Sequence, residues 1–130
     1  LRVYPRETVV AEKLEAMVQL GIANSRMKDF FDLQFLGRSF EFDGDVLTKA
    51  ISATFRRRET VVPDDEPVAF TAAFAGDAQK KAQWTGFLKR SGVADTKADL
   101  AAVVADIRGF LLGPLEAVRA GAGFAKTWSK

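Results

Sequence analysis

Hydrophobic residues recur along most of the chain at the three- and four-residue spacing typical of amphipathic helices. The first such segment follows Pro5, which suits the first turn of a helix, and closes at Gly21. A second segment follows a polar turn at Asn24 and stops at Gly37, and a third begins at Asp43. The pattern therefore predicts three helices in the first part of the chain.

The second part of the chain continues the helical pattern after a clear break. Residues 61–67 place two prolines around three acids, which is typical of a loop. A short helix is predicted around Phe74, and Asp77 is a suitable N-cap for the next helix. The run Thr96–Asp99 resembles a capping box that opens the last helix, which Pro114 should end or bend.

The expected fold class is all-α, a bundle of about six helices, because no segment sustains the two-residue alternation of a half-buried strand. A chain of 130 residues that is 48% hydrophobic and 28% charged fits one compact unit. We divide it into residues 1–60 and a C-terminal helical subdomain, residues 61–130. The apolar runs are shorter than the ~20 residues that span a bilayer, and no signal-peptide pattern is present. We therefore expect a cytoplasmic protein with no membrane partner.

The absence of two residue types limits the kinds of catalysis that this chain can perform. The chain contains no cysteine and no histidine, which excludes disulfides, thiolate or imidazole catalysis and cysteine-ligated zinc. Chemistry would have to use carboxylates, cations and hydroxyls, and that set suits phosphoryl or nucleotidyl transfer. The net charge of +2 is too small to indicate a nucleic-acid partner on its own.

Two aspartates in the second predicted helix have the spacing of a candidate site. Asp29 and Asp32 are three residues apart, so both lie on one side of a helix. Arg26 and Lys28 can pair with them at i,i+3 and i,i+4, and Lys13 lies on the preceding helix. Acids in the first turns of a helix also interact favourably with its positive end. The pattern alone is compatible both with helix electrostatics and with a functional site.

Residues 4–16 (YPRETVVAEKLEA) and 24–33 (NSRMKDFFDL) together resemble the AbiEii/AbiGii toxin family of nucleotidyltransferase-like proteins, known from type IV toxin–antitoxin and abortive-infection systems of bacteria. Residues 77–88 are also similar to the C-terminal helical region of that family. The family places a lysine and a D-x-x-D pair in its active site. By position, the resemblance identifies these with Lys13 and with Asp29 and Asp32.

The resemblance also implies a role for each residue. Lys13 would contact nucleotide phosphates, where a compact positive charge offsets charge that develops during transfer. Asp29 would activate an attacking hydroxyl or hold the geometry of the site, with Asp32 in support. Arg26 and Lys28 would add phosphate contacts or lower the pKa values of the carboxylates.

The family's first two motifs, a small-residue turn for the triphosphate and acids for the metal, are not found in this sequence. We therefore expect the C-terminal part of a nucleotidyltransferase-like α/β protein, inactive by itself. The intact protein would use Mg²⁺, with ligands mostly outside this chain and no metal ligand assigned within it. It would transfer a nucleotide from an NTP to an RNA such as tRNA, and would have a cognate antitoxin as partner. Exposed helix faces are also compatible with a homo-oligomer.

The alternative is a non-catalytic helical module that binds a protein partner or RNA. Its candidate contacts are three basic clusters that could meet phosphates: Arg56-Arg57-Arg58, Lys80-Lys81 and Lys89-Arg90. Basic residues near the ends of helices also complement the helix dipole, so the clusters alone do not decide between these functions.

Overall fold

A computed structural model describes residues 5–92 and 99–121 and the backbone of residues 127–128. Within these residues it contains six α-helices, which confirms the all-α class. The helices are α1 (Arg6–Leu20), α2 (Met27–Ser39), α3 (Gly44–Arg57), α4 (Ala72–Gly76), α5 (Ala78–Ser91) and α6 (Leu100–Ala120). Short 3-10 turns at Gly21–Ala23 and Val68–Phe70 and two short strands, β1 (Phe42–Asp43) and β2 (Thr127–Trp128), complete the described elements.

Side-chain caps begin two of the helices where the sequence predicts them. The carboxylate of Asp43 accepts hydrogen bonds from the backbone N–H groups of Asp45 at 2.9 Å and Val46 at 3.1 Å, at the start of α3. Asp77 caps α5 in the same way by accepting from the N–H of Lys80 at 3.0 Å. Gly92, in the left-handed conformation with φ of 71°, ends α5.

The start of α6 differs from the prediction, and of the two outcomes predicted for Pro114, an end or a bend of the helix, the end does not occur. The helix begins at Leu100, and Asp99 is itself the N-cap, accepting from Ala102 N at 2.8 Å; Thr96 lies outside the described residues. At the other end α6 continues through Pro114 to Ala120. Pro114 costs the helix one backbone donor, but its ring is buried in the core beside Leu115, and this packing offsets the loss.

Gly37 does not end α2, which continues to Ser39. A Cβ atom at this position would lie 2.9 Å from the ring of Phe110 on α6. The glycine therefore allows a close approach between two helices, and the prediction that it stops the helix is wrong.

One hydrophobic core joins helices from both parts of the chain. α1 packs against α3, and α6 packs against both α2 and α3. The inward face of α2 includes Phe30, which stacks on Phe74 of α4 with ring centroids 5.4 Å apart, and Leu33; all three are fully buried. Burial of each is worth about 1.5–3 kcal/mol and sets which side of α2 faces the core. The division at residue 60 stays a prediction.

The backbone of β2 returns to the start of α3. Phe42 pairs with Trp128 and Asp43 with Thr127 in an antiparallel ladder. Among the described helices, none has the length and apolar character needed to cross a membrane.

Candidate functional site

The fold brings Lys13 of α1 between the two aspartates at the start of α2. Its Nζ atom lies 3.1 Å from Asp29 Oδ1, to which it donates a hydrogen bond, and 3.1 Å from Asp32 Oδ2. The packing of both helices on the common core fixes this arrangement. The three residues that the resemblance identifies as the site therefore lie in direct contact.

Asp29 is the more deeply buried carboxylate, with a side chain that is 7% exposed. Its Oδ2 atom lies 3.1 Å from Nε of Arg26, yet this atom is shielded from solvent and has no hydrogen-bond partner among the described residues. The two observations agree if the guanidinium is close enough for an ionic interaction but poorly aligned for a hydrogen bond. Each carboxylate oxygen of Asp29 therefore lies beside a cation, Oδ1 beside Lys13 and Oδ2 beside Arg26.

Asp32 is more accessible, and its side chain is 24% exposed. Oδ2 also accepts a hydrogen bond from Nζ of Lys28 at 2.7 Å, one turn earlier on the same helix. Lys28 is largely exposed. Both local pairings that the sequence predicts, Arg26 with Asp29 and Lys28 with Asp32, are therefore present.

The environment of Lys13 stabilises its charged form. Burial alone would lower the pKa of Lys13, but the hydrogen bonds and charges of Asp29 and Asp32 outweigh burial, and the net effect raises the pKa above its ordinary value. Lys13 is therefore a fixed positive charge at neutral pH.

A second charged network, which sequence analysis missed, involves Glu12 and Glu15, which flank Lys13 on α1. Glu15 is fully buried and accepts hydrogen bonds from Arg58 Nη1 at 3.0 Å and from Thr60 Oγ1 at 2.6 Å. Glu12 accepts from Arg57 Nη2 at 3.3 Å. More than forty residues separate the partners in the chain, so no local spacing pattern could have shown these contacts.

The two networks meet at a small open pocket of about 220 Å³. Its lining residues are Val9, Glu12, Lys13, Ala16, Arg26 and Arg58. A larger groove of about 640 Å³ lies between α4, α5 and α6 and shares no residue with this pocket. Lys13 and Arg26, two of the charged residues that the sequence singles out, line the smaller pocket, so we take the smaller one as the candidate site.

These carboxylates do not fit a Mg²⁺ site. No group of three or more Asp, Glu, His or Cys side chains within the described residues is placed to hold a metal ion. Asp29 and Asp32 are also compensated by Lys13, Arg26 and Lys28. A dication would have to displace these partners, since Mg²⁺ requires oxygen ligands that are available to it.

The described residues thus form a helical domain in which a lysine lies between the two carboxylates of a D-x-x-D motif, beside a polar pocket. A family model described as "Nucleotidyl transferase AbiEii toxin, Type IV TA system" matches residues 1–106 of the chain. The chain belongs to this family of toxins, and membership implies an antitoxin as partner. No curated protein and no solved structure gives a significant match.

Proposed function

We propose that this chain provides the lysine and the D-x-x-D pair of a site that transfers a nucleotide from an NTP to an RNA acceptor, such as the 3′ end of a tRNA. The observation that carries the proposal is the position of Lys13, held by Asp29 and Asp32 at a polar pocket. The family description, which names a nucleotidyl transferase and a toxin, supports it.

Lys13 would stabilise charge on the phosphate oxygens during transfer. Catalysis of this reaction class depends on positioning and electrostatics, and a charge already held in place need not reorganise as the reaction proceeds. Two carboxylate partners restrict the rotamers of the lysine, and its raised pKa keeps it protonated. Because Oδ2 of Asp29 is shielded from solvent, we assign Asp29 to holding Lys13 in place, with Asp32 in support.

The NTP substrate implies Mg²⁺, and its ligands would come from outside the described residues because the carboxylates of the site are already paired. This chain would then form the helical C-terminal part of a larger transferase. Such a toxin would act in the cytoplasm, where NTPs and tRNA occur, until its antitoxin counteracts it.

The test compares variants of the intact protein for nucleotide transfer to tRNA with each of the four NTPs, and for growth inhibition. Lys13→Ala and Asp29→Ala should abolish both activities. Lys49→Ala is the matched control, since Lys49 also pairs with an aspartate, Asp45, at 3.1 Å but on the exposed face of α3. Full activity of either site variant would contradict the assignment.

The same assay examines the rival function, a non-catalytic binding module. Growth inhibition that persists without transfer from any NTP would favour the module. In the version of this module that binds RNA through the triple arginine, Arg57 and Arg58 are paired with Glu12 and Glu15, so only their remaining N–H groups would contact phosphates.

A further inference from the structure

The three consecutive arginines at the end of α3 have different surroundings. Arg56 contacts only a serine on its own helix through the described hydrogen bonds. Arg57 donates to Glu12 at 3.3 Å, whereas Arg58 donates to Glu15 at 3.0 Å and lies 3.5 Å from Glu12. Of the three, Arg58 is the one that lines the pocket of Lys13. The structure therefore separates residues that look equivalent in the sequence.

Glu15 holds Arg58 from the protein interior. A carboxylate that is fully buried must be compensated by a cation and by hydrogen bonds, and Arg58 and Thr60 supply these to its two oxygens. The guanidinium has five N–H groups, and its contacts with Glu15 and Glu12 use one terminal nitrogen each. Arg58 is thus fixed in place with donors to spare, and its side chain remains 44% exposed.

Phosphate contacts by Lys13 and Arg26 are already expected from the family resemblance; we propose that Arg58 joins them and completes a subsite for phosphate oxyanions of the nucleotide. Three cations and one carboxylate, Glu12, line this pocket. Positioned arginine forks and a lysine are the donors that proteins use for phosphate. The identity of the ligand as a nucleotide rests on the proposed function. The three cations are paired with carboxylates, so the preference for an oxyanion rests on the N–H groups that these ion pairs do not use.

The size of the pocket limits what it binds. Its volume of about 220 Å³ is smaller than the ~300–1,000 Å³ typical of sites that enclose a drug-sized ligand. The pocket therefore accommodates a phosphate tail and leaves the base and sugar to other surfaces. The phosphate could belong to an NTP or to an RNA backbone, and we assign it to the NTP because Lys13 shares the pocket.

The experiment measures the Kd of the intact protein for inorganic triphosphate, for each NTP and for tRNA by equilibrium titration. Arg58→Ala should weaken triphosphate and NTP binding by at least about tenfold, the value of one charge-assisted contact. Arg56→Ala, the matched control, should leave all three Kd values unchanged. If Arg58→Ala weakens tRNA binding alone, the assignment to the nucleotide is overturned.

Arg58→Ala leaves the buried Glu15 carboxylate without its cation and could destabilise the fold, so a second variant controls for this effect. In Arg58→Ala/Glu15→Gln the buried charge is removed together with the arginine, and the amide oxygen can still accept from Thr60. Triphosphate affinity equal to that of the parent protein in this double variant would overturn the subsite. The protein could also bind triphosphate through Arg58 and yet transfer no nucleotide. That result would refute the proposed function but would leave the phosphate subsite in place.

Discussion

Lys80 of α5 donates a hydrogen bond from its buried Nζ atom to the main-chain carbonyl of Asn24, at 2.8 Å. Lys80 is 2% exposed, and the same atom reaches Gln83 Oε1 at 3.3 Å and lies 5.6 Å from the ring centroid of Phe74. The side chain of Asn24 in turn accepts a hydrogen bond from the backbone N–H of Arg26 at 2.8 Å. The second part of the chain thus holds the loop that leads into the D-x-x-D helix.

Two neighbouring lysines should respond differently to substitution. Lys80→Ala removes a buried side chain and leaves the Asn24 carbonyl without its donor, so we expect it to lower the free energy of unfolding by about 2–3 kcal/mol. Lys81→Ala, at an exposed position, should stay within about 0.5 kcal/mol of the parent protein. Urea denaturation measures both values. Equal stability of the two variants would show that the buried contact contributes nothing.

The same substitution should loosen the site locally. Amide hydrogen exchange at Arg26 should be faster in Lys80→Ala than in Lys81→Ala, because Asn24 no longer has a fixed position from which to accept the Arg26 N–H. Unchanged exchange at Arg26 would mean that Asn24 is held without Lys80.

The raised pKa of Lys13 predicts how stability changes at alkaline pH. The folded state holds this proton more tightly than the unfolded state, so the stabilisation is fully present below the ordinary lysine pKa of about 10.4. It is lost as the pH rises through the higher pKa of the folded state. Urea unfolding at about pH 9 and about pH 11 should therefore show a smaller loss for Lys13→Met than for the parent protein. Lys49→Met should behave like the parent, and an identical loss in all three proteins would contradict the prediction.

The two aspartates of the motif should differ in importance. Asp29 is almost fully buried and lies between Lys13 and Arg26, whereas Asp32 is more exposed and is shared with Lys28. Asp29→Asn should therefore reduce kcat/KM for nucleotide transfer by at least about tenfold, since it removes the negative charge that positions Lys13. Asp32→Asn should cost less, and a larger loss for Asp32→Asn would reverse the assigned roles.

A single methyl group should have opposite effects at two glycines. Gly37→Ala places a Cβ atom 2.9 Å from the Phe110 ring, and we expect a loss of about 1–3 kcal/mol in unfolding free energy. Gly109→Ala, inside α6, should gain about 0.5–1 kcal/mol from helix propensity, because outside the adjoining backbone of α6 no atom lies within 4 Å of the added Cβ. Thermal or urea unfolding measures both changes, and a stabilising Gly37→Ala would refute the close approach of α2 and α6.

The parts of the fold that local spacing encodes were predictable from the sequence. The caps at Asp43 and Asp77 depend on backbone N–H groups two or three residues away. The pairings within α2 depend on one helical turn. The contact of Lys13 with Asp29 and Asp32 required the family resemblance, because spacing along the chain does not show how two helices pack.

The remaining features depend on tertiary packing. Pro114 and Gly37 carry strong local signals to end a helix, yet tertiary contacts decide the outcome: Pro114 is buried together with Leu115, and Gly37 lies against the ring of Phe110. Glu15 resembles any surface acid of an amphipathic helix until α3 brings Arg58 against it. Lys80 belongs to a basic cluster in the sequence, but the fold buries it while its neighbour Lys81 stays exposed.

The glycine contact of α2 with α6 also has a mechanical consequence for the site. Gly37 and Asp29 lie at opposite ends of the same helix, about 12 Å apart at 1.5 Å per residue. A tilt of α2 by about 5° around the Phe110 contact would displace the Asp29 carboxylate by about 1 Å, enough to misalign a reacting group. Because Gly37 has no Cβ, α2 can lie close to α6, and this contact affects the position of the Asp29 carboxylate two turns away. A substitution at Gly37, outside the pocket, can therefore lower activity while every charged group is retained.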